Sequence, residues 1–402
     1  LIWTVRLAAG FKNLPVVREA TLEVKAGEFV AVIGPNASGK TTLLKTLASL
    51  LKPLTGVVYL DSTPLSRMRR NEIAKSIGVV LTEQPAPGRL KVFELVALGR
   101  YPHTGPLGRL SERDREETMR VLSDVGVSHL AGRLFSELSD GQKQKVLIAR
   151  ALAQNPRVLM LDEPVTFLDP RARVEVLLTL RKICRERRVA VIASLHEIEL
   201  ALRLADRLIV VANGSVESYA PPEEFVEQGG PRALYGMSDG SCFNPDLMSI
   251  ELRSLPSRGP VFVVAGGGTG APLYRMLSRQ EYQIITGVLH KGDIDYSVAS
   301  ALGATVIWEE PFTPIRPQTI EEALEKARTA FAAIYTSPPI GPTNSANQRL
   351  AGLLALRGIP LIVLGKGQVE GAWSRIRTLG EVSQALEELE NAILERERVV
   401  EP

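Results

Sequence analysis

The sequence predicts an α/β protein made of two successive domains, each alternating strands with helices. Three observations lead there. The chain has 402 residues, too many for one ordinary domain and suited to two or three. An apolar strand runs into a glycine loop and then a helical pattern near residue 30, and again near residue 261. Between them the texture changes: YGMSDGSCFNPDLM (235–248) is rich in turn formers and separates the two alternations. The expected boundaries are 1–237 for the first domain, 238–258 for a linker and 259–402 for the second domain.

The elements follow in order. Short strands and turns fill the first 25 residues, and the apolar strand Phe29–Ile33 leads into a glycine loop. TTLLKTLASLL (41–51) has helical periodicity, and GVVYLD (56–61) and IGVVLTEQ (77–84) read as strands. Residues 91–154 are mainly helical, punctuated by Gly and Pro in GRYPHTGPLG (99–108). RVLMLDEP (157–164), VAVIASLHE (189–197) and RLIVVANGSV (207–216) are strands, the first apolar throughout and so of the buried kind. In the second domain VFVVA (261–265), QIITGVL (283–289), TVIW (305–308), AIYTS (333–337) and PLIVLG (360–365) alternate with helices, which indicates parallel βαβ units. A charged amphipathic helix, SQALEELENAILERE (383–397), closes the chain.

Composition narrows the function classes. Apolar residues make up 45% and charged residues 23%, a globular balance, and the net charge of +3 gives no strong field for nucleic acid or anionic lipid. The two cysteines, Cys184 and Cys242, are far apart and suggest neither a disulfide framework nor a zinc site. No apolar run reaches the ~18 residues needed to span a bilayer, and the start of the chain lacks the pattern of a signal peptide. A cytoplasmic location is expected, with any membrane-spanning helices supplied by another polypeptide.

Two motifs carry chemistry. GPNASGKT (34–41) matches G-x-x-x-x-G-K-[ST], with an apolar strand before it and a helix after it. Gly34 and Gly39 free the backbone to curl around phosphates, and the N–H groups of Asn36, Ala37, Ser38, Lys40, Thr41 and Thr42 are placed to face them. Lys40 is positioned for the terminal phosphates of a bound nucleotide and the Thr41 hydroxyl for Mg²⁺. The second motif is Asp162–Glu163 at the end of the buried strand. Asp162 fits the acid that holds Mg²⁺, and Glu163 fits the base that polarises water. Two acids at a helix start would also suit the helix dipole alone.

The segment between these motifs decides among nucleotide hydrolases. LSDGQKQKVLIARALAQNP (138–156) resembles the signature motif of ABC ATPases and its helix, with Ser139, Gly141 and Gln142 matching and Asp140 replacing the first glycine. A lone LSDGQ would be an ordinary serine-capped helix start, but its companions are present in order. Gln84 matches the Q-loop glutamine, a further Mg²⁺ contact. Phe11 matches the aromatic residue that stacks on adenine. Asp169 in VTFLDP matches the D-loop acid, and His196 the switch histidine. The resemblance covers roughly residues 1–240. It implies a P-loop ABC ATPase domain with a helical subdomain, and the strand–helix alternation outside the resemblance reads as a smaller Rossmann-like domain. The resemblance also implies two copies paired head to tail, with ATP between the phosphate loop of one and Ser139–Gln142 of the other. In that scheme Glu163, His196 and Gln84 serve hydrolysis. The remaining histidines, His103, His129 and His290, read as surface or core polar residues.

ELVALGRYPHTG (94–105) resembles the importer ATPases for ferric siderophores, haem and cobalamin. That likeness implies a polytopic permease as direct partner, a substrate-binding protein as indirect partner, and a place at the inner face of the membrane. A non-transport ABC ATPase and an exporter subunit are the alternatives. The former usually carries two ATPase modules or a coiled-coil insertion, and the latter commonly carries fused membrane helices. In the second domain AGGGTGAPLYRML (265–277) gives a loose G-x-G-x-x-A through Gly266, Gly268 and Ala271. Gly266, Gly267, Gly268, Thr269 and Gly270 are therefore a candidate ligand loop, with Asp293 and Asp295 in HKGDID (290–295) as the acids that follow the second strand. A packing loop in a structural or dimerising domain fits the same pattern.

Overall fold

The structure, a computed structural model, describes residues 1–82, 88–105, 108–237 and 240–400, with side chains at 394 and 396–400 left aside. It divides into two compact units, Leu1–Tyr235 and Gly236–Pro402.

Among the described residues the first unit holds two sheets. In one, the long strand Ile2–Phe11 pairs antiparallel with Leu14–Ala20, Glu23–Val24 and Thr55–Leu60, and Thr63–Pro64 joins the last. In the other, Ile77–Val80, Val158–Leu161, Ala190–Ser194, Phe29–Ile33 and Arg207–Ala212 lie parallel in that spatial order. Ser215–Tyr219 closes the edge as an antiparallel hairpin partner. The four-residue and five-residue central strands are buried at every position, as strands covered on both faces must be. Their apolar side chains and those of the helix Lys40–Leu47, among them Val30, Leu43, Met160 and Ile192, form one core. Asp162 and Glu163, two strands over from the phosphate loop with Ala190–Ser194 between, are carried to the same sheet end because all these strands point the same way.

Among the described residues, the range 91–154 contributes three α-helices, Val92–Ala97, Glu112–Asp124 and Asp140–Leu152. Ser111 caps the second through a capping box with Asp114, and Ser139 caps the third through one with Gln142. The segment LGRYPH forms a 3₁₀ stretch, Leu98–His103. Arg100 turns inward, donating to Asp114 Oδ1 at 2.9 Å and to Ala153 O at 2.7 Å, while Tyr101 stays 72% exposed. The two polar anchors fasten this stretch to the helical subdomain.

The second unit has one six-stranded parallel sheet. Its spatial order is Thr305–Glu309, Tyr282–His290, Arg258–Val264, Ala332–Tyr335, Leu361–Leu364, Ser374–Ile376. Counted in chain order this is 3-2-1-4-5-6, the doubly wound arrangement, with its switch point between Arg258–Val264 and Ala332–Tyr335. Separate apolar cores cover its two faces, one around Tyr274 and Leu386, the other around Phe262 and Leu350. The closing helix runs Gly380–Val400.

The segment 238–258, expected as a linker, contains a two-stranded hairpin, Ser241–Asn244 with Ser249–Leu252, that belongs to the second unit. Buried Asn244 fixes it there: its Oδ1 accepts from Asp246 N, Leu247 N and Ser297 Oγ. Turn-forming residues mark hairpins and connectors alike, and here they make a hairpin. Among the described residues no helix is long and apolar enough to cross a membrane.

Candidate active site

The strand Phe29–Ile33 ends at Gly34, whose φ of 154° and distance of 2.1 Å from a notional Cβ to Val211 O exclude any side chain. The loop then delivers the helix Lys40–Leu47 with Gly39 at its cap, φ 108°, and no side chain bonded to its first turn. The N-terminal donors of this helix therefore face a concavity of about 840 Å³ lined by Asn36, Ser38, Thr42, Glu163, Thr166 and His196. Ala37, Gly39, Lys40 and Thr41 line it as well. Ser38 Oγ is buried with no hydrogen-bond partner. A buried hydroxyl without a partner costs free energy, and an anion in the loop would relieve it. Lys40 is 5% exposed, and its Nζ donates to Gly34 O and Pro35 O at 2.8 Å each. Burial holds its ammonium below the ordinary lysine range, and the carboxylates of Glu163 and Asp162 pull the other way. The site thus presents oriented donors and a cation with no anion of its own in the loop.

Asp162 is the centre of the carboxylate cluster. Thr41 Oγ1 lies 3.1 and 2.9 Å from its two carboxylate oxygens, Ser194 Oγ donates to Oδ1 at 2.9 Å, and Thr82 Oγ1 lies 3.2 Å from Oδ2. Such a set of hard oxygens suits a hydrated divalent cation such as Mg²⁺. Glu163 sits at φ 52°, a left-handed conformation that costs about 1–3 kcal/mol and collects at functional sites. Its backbone N–H donates to Ser194 Oγ at 2.7 Å, so one serine holds both acids. Thr166 Oγ1 donates to Glu163 Oε2 at 3.2 Å, and His196 Nε2 lies 2.5 Å from Glu163 Oε1. A carboxylate aimed by an imidazole at the lip of a phosphate loop is placed to act on water.

The other expected residues divide. Ser139, Gly141, Gln142 and Asp169 come together at a separate concavity of about 310 Å³. Ser139 Oγ accepts from Gln142 N, Gln142 Oε1 accepts from Ser139 N, and Asp169 caps the helix Pro170–Glu186 through Ala172 N. Asp140 turns outward, 63% exposed, and pairs with Lys143 at 3.2 Å, so a side chain at this position meets no obstruction. Phe11 is 54% exposed at the turn into Leu14 and is not among the lining residues, where Val16 stands instead. Gln84 lies outside the described residues. Ser194 and Thr82 were not singled out from the sequence. Ser194 lies two positions before His196, and no motif marks it.

In the second unit Gly266, Gly267 and Gly268 leave the strand end at φ 152°, 63° and 84°, at the switch point of the sheet. Here the donors are taken. Asp293 Oδ2 accepts from Gly267 N at 2.8 Å, and Asp295, wholly buried, accepts from Gly270 N and Ala271 N at 3.0 and 2.7 Å. Thr269 Oγ1 pairs with Thr336 Oγ1 at 2.7 Å. Burial pushes the Asp295 carboxyl above the usual carboxylate range, against the opposing pull of these backbone N–H groups. A phosphate at this helix start would have to displace that carboxyl.

Comparisons with known proteins agree with the division. The model of a family described as ABC transporter matches residues 17–166, and that of the MJ0874 family matches residues 284–400. The chain is 41% identical over 290 residues to the ABC transporter ATP-binding protein MJ0873 of Methanocaldococcus jannaschii, covering 72% of this chain and 100% of that one. It is 36% identical over 232 residues to the ferric enterobactin transport ATP-binding protein FepC of Escherichia coli, covering 58% and 86%. It is 28% identical over 365 residues to the cobalamin import ATP-binding protein BtuD of Halobacterium salinarum, covering 89% and 90%. Among solved structures, a nucleotide-free ATP-binding cassette from an ABC transporter superposes with a TM-score of 0.53 at 25% identity, covering 58% of this chain and 97% of that one.

Proposed function

This chain belongs to the ABC transporter ATP-binding family, and from that premise we propose that it powers uptake of a metal chelate through a separate membrane permease. The observation that carries the mechanism is the Glu163–His196 pair, 2.5 Å apart beside the phosphate loop. ATP binds with its phosphates on the free helix start at Lys40 and the loop amides. Thr41 and Asp162 would hold Mg²⁺, with Gln84 as a further contact, and the ion would supply positive charge at the terminal phosphates. Two copies pair head to tail, so that Ser139, Gly141 and Gln142 of one complete the site of the other. Glu163 orients and deprotonates water, and His196 keeps Glu163 in register with the terminal phosphate. Lys40 and the backbone donors stabilise the charge that develops. Hydrolysis removes the bridge and reopens the pair.

The chain sits at the inner face of the membrane, on the permease, and a substrate-binding protein delivers cargo from the other side. The likeness to FepC and BtuD supports a metal chelate as that cargo. A corrinoid is favoured within that class, because the alignment with BtuD runs over 89% of this chain and so well into the second unit. The second unit reports internal cargo to the ATPase. The test is reconstitution with the permease and measurement of ATP-dependent uptake of cobalamin and of a ferric siderophore. Uptake of either supports import, and truncation after Tyr235 is expected to abolish inhibition by internal cargo while leaving hydrolysis within about twofold. Failure to associate with any polytopic membrane protein would overturn the transport reading.

A further inference from the structure

The chain has four histidines. Three are engaged: His103 Nε2 with Gln154 O at 2.7 Å, His196 Nε2 with Glu163 Oε1 at 2.5 Å, and His290 Nε2 with Thr313 O at 2.8 Å. His129 makes no hydrogen bond or ion pair among the described residues and is exposed. It is nonetheless held firmly. It lies in the 3₁₀ turn Ser128–Leu130, closed by Leu130 N to Val127 O at 3.0 Å and Ala131 N to Ser128 O at 3.2 Å, with Val127 and Leu130 buried on either side. The backbone that carries the ring is fixed, so only the ring's own torsions are ordered when its nitrogens bond a ligand.

Its surroundings say which ligand. His129 lines the 310 Å³ concavity together with Ser139, Gln142, Lys145, Asp169 and Glu175. Ser139, Gln142 and Lys145 recur at a spacing of three along one face of the helix Asp140–Leu152, about 9 Å from first to last. The fixed charges on the walls cancel. Glu175 bridges Lys145 at 3.0 Å and Arg171 at 3.1 Å, and Asp169 balances the second cation. The negative end of a ligand belongs at the helix start by Ser139. The space beyond is neutral and polar, and suits an uncharged group rich in hydroxyls.

We propose that His129 is a nucleotide contact, hydrogen-bonding the ribose hydroxyls of the ATP held by the phosphate loop of a second copy. This rests on the head-to-tail pairing proposed above. It adds a residue outside the signature motif, contributed by the turn that precedes it.

The test is steady-state hydrolysis by the full chain with ATP and with 2′,3′-dideoxyATP, for the wild type, His129→Ala and His129→Gln. A neutral hydrogen bond of ordinary strength predicts KM for ATP raised roughly three- to tenfold in His129→Ala, with kcat within about twofold and partial recovery in His129→Gln. With the dideoxy nucleotide the variants should match the wild type, since the hydroxyls are already missing. An unchanged KM for ATP, or an equal rise with both nucleotides, overturns the proposal. Because His129 is exposed and unbonded, thermal unfolding of the variants should be unchanged, which separates a lost contact from a lost fold. Ser139→Arg serves as the control for the underlying reading. If Ser139→Arg hydrolyses ATP normally, the head-to-tail pairing fails; if it is inactive while His129→Ala behaves as wild type, only the ribose contact fails.

Discussion

Residues 34–41 and 266–271 are built from the same parts. Each leaves the end of a buried parallel strand, turns through left-handed backbone and starts a helix. They differ in what faces the helix start. At Lys40 no side chain caps the first turn, a buried serine hydroxyl lacks a partner and a buried ammonium stands nearby. At Ala271 the carboxylates of Asp293 and Asp295 already take the N–H groups of Gly267, Gly270 and Ala271. The lesson concerns donors more than glycines. A glycine loop opens the backbone, and the residues arriving from neighbouring strands decide whether an anion has anything left to bond.

Four substitutions probe that contrast, beginning with the largest effect. Glu163→Gln should retain ATP and lower turnover by roughly 10²–10⁴-fold, the usual range for a general base, as measured by phosphate release. Ser194→Ala leaves Asp162 and the N–H of Glu163 without their shared hydroxyl, and kcat should fall about tenfold, the size of one buried hydrogen-bonding group lost. On the other loop, Asp295→Ala strips the acceptor from two buried N–H groups and should destabilise the second unit by about 1–3 kcal/mol in denaturant unfolding. Weak phosphate affinity gained by that variant would sharpen the contrast. The smallest effect is a pH dependence. The folded Asp295 carboxyl titrates above its ordinary value, so its protonated form favours the fold, and that contribution fades as pH rises through the folded pKa. Wild type should therefore gain stability relative to Asp295→Asn as pH falls from 7 toward 4, read from melting temperatures of both.

Most of the first unit was legible because its signals are local. A strand, a Gly-Lys-Thr turn and a helix follow one another within a few residues, and the acidic strand end lies in an unbroken apolar run. The alternation of the second unit was legible for the same reason. What escaped depends on contacts between distant segments. Ser194 matters because its strand lies beside that of Asp162, which spacing does not disclose. Asp293 and Asp295 follow the second strand as ribose-binding acids would, and only the fold turns them onto the glycine loop. The strand Ser374–Ile376 has three residues, too few to show a period. His129 resembles any surface histidine until the turn that holds it is set beside Ser139 and Gln142.

The central claim is that nucleotide binds at the phosphate loop and not at the glycine loop of the second unit. Calorimetric titration of the full chain with ATP, and separately with NAD, tests it most directly when repeated on Lys40→Ala. The account predicts one ATP per chain for the wild type, loss of that site in Lys40→Ala, and no NAD binding in either. Retained ATP binding in Lys40→Ala, or a saturable NAD site in either protein, would contradict it.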